Sequence, residues 1–152
     1  MHDIAMIKLS APVVFSSSVQ PVCLDDGIAR VDNGFVEGVL AGWGALSYSN
    51  RGETTVPHKV NARISTPQEC LNTYAQYGYQ LATDQICAGL PANPCVGDDG
   101  GPLVVKIGDN TWQQVGISSF GMQCGGPTPV FTRVSVYRGW IEQVRSGKIV
   151  KA

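Results

Sequence analysis

An all-β fold is what this sequence predicts, and three observations predict it. The 18 glycines and 9 prolines are spread along the 152 residues instead of being gathered in blocks, which favours many short elements joined by turns. Short apolar or alternating stretches recur, each bounded by Gly, Pro, Asn, Asp or Ser. A hydrophobic content of 43% against 15% charged residues is enough to fill the core of one domain.

The predicted strands are Ile4–Leu9, Phe35–Ala41, Lys59–Ile64, Leu103–Ile107, Trp112–Phe120 and Val130–Val134. One segment breaks the pattern. In Ser135–Arg145, the residues Val136, Trp140, Ile141 and Val144 fall at helical spacing with Glu142 and Arg145 opposite, which predicts a C-terminal helix. Gln68–Tyr77 is a second, shorter helical candidate. The chain carries no internal repeat, heptad or low-complexity tract.

A formal net charge of -1 and the lack of any Lys/Arg cluster leave no field for a polyanion, so nucleic acid is not an expected partner. Nor is a membrane. The apolar run from Ile4 to Phe15 is interrupted by Lys8, Ser10 and Pro12, is too short to cross a bilayer, and lacks the basic start and small-residue cleavage site of a secretory leader. Cys23, Cys70, Cys87, Cys95 and Cys124 stand far apart with no C-x-x-C pair, which suits disulfides in an oxidising compartment better than a zinc site. No acidic loop has the alternating oxygen ligands of a calcium site, and no cofactor is expected. If the protein is secreted, the missing leader and the odd cysteine count lead us to expect that it belongs to a longer precursor.

The segment Cys95-Val96-Gly97-Asp98-Asp99-Gly100-Gly101-Pro102-Leu103-Val104 is a glycine-flanked acidic turn running into an apolar strand. Taken alone it is an ordinary hairpin loop. It closely resembles, however, the Gly-Asp-Ser-Gly-Gly-Pro signature of trypsin/chymotrypsin-like serine peptidases, with Asp99 where that family has its nucleophilic serine. Further matches follow in the family's order: His2-Asp3-Ile4-Ala5 resembles its Asp-Ile-Ala-Leu-type strand, Gln20–Leu24 the segment after it, and Ala41-Gly42-Trp43-Gly44 its Gly-Trp-Gly turn. Ile86–Gly89, Gly116–Gly121, Val130–Val134 and the Trp140 helix complete the series. The resemblance implies a chymotrypsin-like double β-barrel, of which this chain holds mainly the second barrel. Residues 1–12 would be the last strand of the first barrel, 35–134 the second barrel and 135–146 the C-terminal helix.

In that family a serine attacks the scissile carbonyl, a histidine takes its proton, and an aspartate orients the imidazole. Carried over residue by residue, the resemblance puts Asp3 at the triad aspartate and Asp99 at the nucleophile. The backbone N–H of Gly97 joins that of Asp99 in the oxyanion hole, and Asp98 becomes the partner of an activation-generated ammonium. The histidine-bearing segment would precede residue 1. Neither His2, expected on the opposite face of the strand from Asp3, nor His58, expected in a turn before Lys59, replaces it. Asp98 and Asp99, though adjacent, should point apart and not share a proton as an aspartyl dyad does. A buried Asp98 lacking its ammonium should find other donors or swing outward.

The same resemblance places Asn93 on the floor of the primary specificity pocket, Ser119, Phe120 and Gly121 along one wall, and Pro129 where a glycine is usual, giving a narrowed, uncharged pocket. It pairs Cys70 with Cys87 and Cys95 with Cys124, and leaves Cys23 for a bridge to an upstream segment; a third bridge is absent because its positions fall at Gly38 and Val105. Three functional readings follow. The first is a secreted pseudopeptidase that binds a protein or peptide partner or regulates an active peptidase. The second is a fragment of an active secreted serine endopeptidase in which Asp99 stands for serine. The third is a β-barrel binding module unrelated to proteolysis, which would make the ordered motifs coincidence.

Overall fold

The computed structural model describes residues 2–27, 31–45, 47, 52, 54–91, 95–121 and 128–148. Six antiparallel strands form its centre: β2 (Glu37–Gly42), β3 (His58–Ile64), β4 (Gln85–Pro91), β5 (Pro102–Lys106), β6 (Trp112–Phe120) and β7 (Val130–Arg133). They pair in the order β6-β5-β2-β3-β4-β7, and β7 pairs back onto β6, closing a barrel with no free edge among these strands. A two-residue strand, β1 (Cys23–Leu24), lies parallel to β6 outside the barrel.

Alternation explains what fills the barrel. In β5 Leu103 and Val105 are buried while Pro102 and Lys106 are exposed, and in β2 Gly38 and Leu40 are buried between less covered neighbours. These side chains meet Ala62, Ile64, Ile86, Ala88, Val115 and Phe131 in one cluster. Gly38 and Val105, the positions of the absent third bridge, are register partners across β2 and β5. A Cβ at Gly38 would come 2.7 Å from Leu103 Cδ1, so apolar packing fills that place.

The predicted helix at Gln68–Tyr77 is present as α1 (Pro67–Ala75). Thr66 caps it: its hydroxyl accepts from Glu69 N–H, the Glu69 carboxylate accepts from Thr66 N–H, and Pro67 opens the first turn. The Thr66 backbone hydrogen bond and then the Arg63 guanidinium hold the Glu69 carboxyl below the usual carboxylate range. A disulfide between Cys70 and Cys87 ties α1 to β4, packed against Tyr74 and Val130.

Three expectations are corrected. Ile4–Leu9 is not a strand: among the described residues nothing pairs with it, so Ile7 and Leu9 are 87% and 59% exposed, while Ile4 packs against the cluster of Val134, Tyr137 and Ile141. The C-terminal helix begins later than Ser135. Residues Val134–Tyr137 form a 3-10 turn leading into α2 (Arg138–Arg145). Three residues per turn put Val134 and Tyr137 in the core and leave Val136 55% exposed, against the helical phase read from the sequence. His58 is the first residue of β3, opposite Gly42, and not in a turn.

Candidate active-site cleft

The glycine-rich turn between β4 and β5 is folded by its own backbone. Asp98 N–H donates to Cys95 O at 3.0 Å and Gly101 N–H to Asp98 O at 3.0 Å, while Gly100 N–H donates to Ser118 O at 2.9 Å. Gly97 and Gly100 hold φ of 95° and 79°, a region closed to most side chains, so this path requires glycine at both.

Within this turn the two aspartates diverge. Asp98 turns toward the end of β2: Oδ1 accepts from Gly44 N–H at 2.9 Å and Oδ2 from Cys95 N–H at 3.1 Å. Here the Gly-Trp-Gly turn acquires a physical meaning. A Cβ at Gly42 would stand 2.0 Å from Asp98 Oδ1, and one at Gly44 2.4 Å from Asp98 Cγ, so both glycines exist to admit the carboxylate. The sequence carried the signal, as two glycines flanking Trp43 and a Gly-Asp turn, but nothing in it linked residues 54 apart. Asp99 instead is exposed and lines a cleft of about 660 Å³ together with Asp3, Ile4, Met6, Ser119 and Ile117. Among the described residues the backbone N–H groups of Gly97 and Asp99 have no backbone acceptor.

Asp3 reaches that cleft from the N-terminal segment. Its Oδ2 accepts a 2.6 Å hydrogen bond from the Ser119 hydroxyl, and its carbonyl accepts one of 2.7 Å from Thr132 Oγ1. Ser119 stands at an irregularity in the β6–β7 register, where Ser118 faces Phe131 and Phe120 faces Val130. Such a bulge re-aims a side chain, here toward Asp3. Sequence reasoning had placed Ser119 only in the pocket wall; its hold on Asp3 is added by the structure.

Among the described residues neither histidine hydrogen-bonds to the Asp3 carboxylate. His2 Nδ1 lies 2.8 Å from the Tyr137 hydroxyl and 3.5 Å from Asp84 Oδ2, and the Tyr137 hydroxyl donates to the same carboxylate. Burial, then the hydrogen bond and charge of Asp84, push the Tyr137 phenol up to about 12. The three side chains pin the N-terminal segment to the barrel beside α2.

Of the expected pocket residues, Asn93 lies outside the described residues. Ser119, Phe120, Gly121 and Pro129 are described. Gly121 and Pro129 face each other so closely that a Cβ on Gly121 would meet Pro129 Cβ at 3.3 Å. The Phe120 ring packs edge-on to Tyr74 at 5.9 Å and beside Tyr79 at 6.4 Å. Tyr74, whose hydroxyl donates to Thr128 O, is fully buried, and burial followed by Tyr77 and Tyr79 pushes its phenol up to about 12. Cys95 is disulfide-bonded, its expected partner Cys124 lies outside the described residues, and Cys23 is a free, exposed thiol. Among the described residues no group of three His, Cys, Asp or Glu could hold a metal ion, and no helix is long and apolar enough to cross a membrane.

A closed six-stranded antiparallel barrel, a C-terminal helix and a glycine-rich turn facing an aspartate–serine pair define the class of a trypsin-like serine protease domain. Residues 1–141 match the family described as Trypsin, and the chain belongs to that family. It is similar to Serine protease 7 of Drosophila melanogaster, 34% identical over 147 residues, which cover 93% of this chain and 37% of that protein. It is also similar to Phenoloxidase-activating enzyme 1 of Spodoptera litura, 38% identical over 144 residues, covering 92% and 37%. Against Transmembrane protease serine 11G of Mus musculus it is 37% identical over 152 residues, covering 95% and 35%. The chain thus spans a little over a third of the length of the curated relatives it matches.

Proposed function

We propose that this trypsin-family domain binds polypeptide and does not cleave it, a secreted pseudopeptidase with a binding or regulatory role. One observation carries the reading: the side chain at the nucleophile position, at the mouth of the cleft beside the Asp3–Ser119 pair, is the carboxylate of Asp99. Attack by a carboxylate on an amide would have to expel an amine and leave an anhydride in place of an ester, and the turn offers no activated hydroxyl. Asp98 cannot join Asp99 as a proton-sharing dyad, since both its oxygens accept from backbone N–H groups. Secretion is supported by the Cys70–Cys87 bridge and by Cys95 being disulfide-bonded, as oxidising compartments allow. The exposed Cys23 thiol is available for a bridge to another segment or chain.

A fluorophosphonate probe tests this directly. We expect no labelling and no hydrolysis of chromogenic trypsin, chymotrypsin or elastase substrates; stoichiometric labelling in the Gly97–Pro102 turn would sink the reading. A second reading, an active secreted endopeptidase of which this is a portion, is favoured by the Asp3–Ser119 hydrogen bond, which fixes the direction of the carboxylate that the family resemblance assigns to a triad. It requires serine at position 99 in the native protein, which sequencing the native transcript decides.

A further inference from the structure

The Cys70–Cys87 disulfide joins α1 to β4, and beside it opens a second pocket of about 320 Å³. Pro67 and Leu71 of α1, with Leu81 and Ile86, give it apolar walls. Its charged lining residues are Arg133 of β7 and Asp32 of the 3-10 turn Val31–Asn33. It shares no lining residue with the cleft beside Asp99.

The two charges cancel each other. Arg133 Nη1 and Nη2 donate to Asp32 Oδ2 and Oδ1 at 2.9 and 2.7 Å, so a charged ligand would give up hydration there and meet no unmatched counter-charge. Two polar groups stay unmatched. Ser65 is only 8% exposed and its hydroxyl makes no hydrogen bond among the described residues, while Arg133 Nε is buried without an acceptor. A guanidinium N–H only donates and a serine hydroxyl can donate, so this lining calls for an acceptor. Gln85 Oε1, also in the lining, already takes the Ala82 N–H at 2.9 Å.

Apolar walls with a few convergent polar groups in a pocket of this size are the make-up of a small-ligand site. We propose that it binds an uncharged ligand with a compact apolar body and one carbonyl group, the body against Pro67, Leu71 and Leu81 and the carbonyl oxygen accepting from the Ser65 hydroxyl. The site owes nothing to position 99 and stands under either reading of the domain. Because its lining is drawn from α1, β4, β7 and the Asp32 turn, an occupant ties these elements together and stabilises the folded chain.

The test uses the whole chain and two probes of the same ring size, acetophenone and benzoate. In amide NMR titrations acetophenone should shift Ser65, Leu71 and Leu81 saturably with a Kd at or below about 1 mM, and benzoate should bind at least about tenfold more weakly. Acetophenone should also raise the midpoint of urea unfolding. Leu71→Glu, at a helix position 43% exposed, should weaken acetophenone by about tenfold or more, and Ser65→Ala by about threefold or more. Ile107→Glu, the same change at an exposed apolar residue outside the pocket, should leave binding intact. No saturable shift up to about 10 mM, equal affinity for benzoate, shifts centred on the Asp99 cleft, or binding that survives Leu71→Glu overturns the proposal. The comparison of the two probes is made on the unsubstituted chain, so it decides the matter even if a variant fails to fold.

Discussion

Replacing Gly44 by alanine puts a methyl group into space that the Asp98 carboxylate occupies. The added Cβ would stand 2.4 Å from Asp98 Cγ, 2.5 Å from Oδ2 and 2.6 Å from Oδ1. The obstacle is the end of a side chain and not backbone, so Asp98 yields by turning away, and in doing so it gives up the N–H groups of Gly44 and Cys95. A hydrogen bond to a charged group contributes about 1.5–3 kcal/mol, and because Asp98 is only half-buried water recovers part of that. Gly44 is not among the glycines with positive φ, so alanine meets no backbone strain there and restricts the unfolded chain, an opposing gain of about 0.4–1 kcal/mol. The net expectation is a loss of about 2–4 kcal/mol in urea unfolding of Gly44→Ala. Asp98→Ala removes all three of the atoms that the new methyl would strike. In that background Gly44→Ala should therefore cost less than about 1 kcal/mol, a coupling between the two positions of about 2 kcal/mol or more. Additivity of the two substitutions within about 0.5 kcal/mol would show that the glycines of this turn do not serve the carboxylate.

Replacing Cys70 and Cys87 together by alanine should cost about 3 kcal/mol from the freed loop of 17 residues, read as a shift in denaturant midpoint; a change under about 1 kcal/mol would mean that the bridge restrains little. Tyr74 and Tyr137 are both pushed up to about 12 by burial from an ordinary value of 10.0, so the folded chain keeps phenolic protons that the unfolded chain loses first. Their contribution is complete below pH 10.0 and is lost as pH rises through about 12, so Tyr137→Phe should flatten the alkaline limb of stability against pH; an unchanged slope would contradict this. Asp99→Ser in the 152-residue chain should hydrolyse no chromogenic peptide, because His2 is engaged with Tyr137 and His58 begins β3, and turnover would show that one of them acts as base.

Periodicity located the strands whose two faces differ. β6 was read at its observed bounds, and β2, β3, β5 and β7 to within a residue or two; buried positions alternate with less covered ones along β2 and β5, whereas in β7 Val130, Phe131 and Thr132 are all buried and the continuous apolar start marked the strand. β4 has no such alternation. Cys87 and Ala88 are both fully buried, one against α1 and the other in the barrel, and only the Ile-Cys-Ala-Gly resemblance pointed to it. Ile4–Leu9 shows the converse error, since apolar residues specify a strand only where a neighbour supplies the ladder. Val136 misled for a third reason: a 3-10 turn changes the period from 3.6 to 3.0, and hydrophobicity alone does not announce where that happens.

The glycine-rich turn was legible because its path does not depend on the side chain at position 99. Gly97, Gly100 and Gly101 set the path of the chain, Asp98 fastens it to Gly44, and the hydrogen bonds between Gly100 and Ser118 and between Ser118 and Gly101 fix its distance from β6. The side chain of Asp99 is exposed and has no part in those bonds, so the path of the turn does not require aspartate there. What aspartate brings is charge in the cleft. The residues that set the path of this turn and the exposed residue at position 99 are therefore under separate physical constraints, and a substitution at 99 need cost no stability. The Asp3–Ser119 bond obeys the opposite logic: Ser119 depends on the β6 bulge for its direction, so that contact was invisible until the strand registers were known.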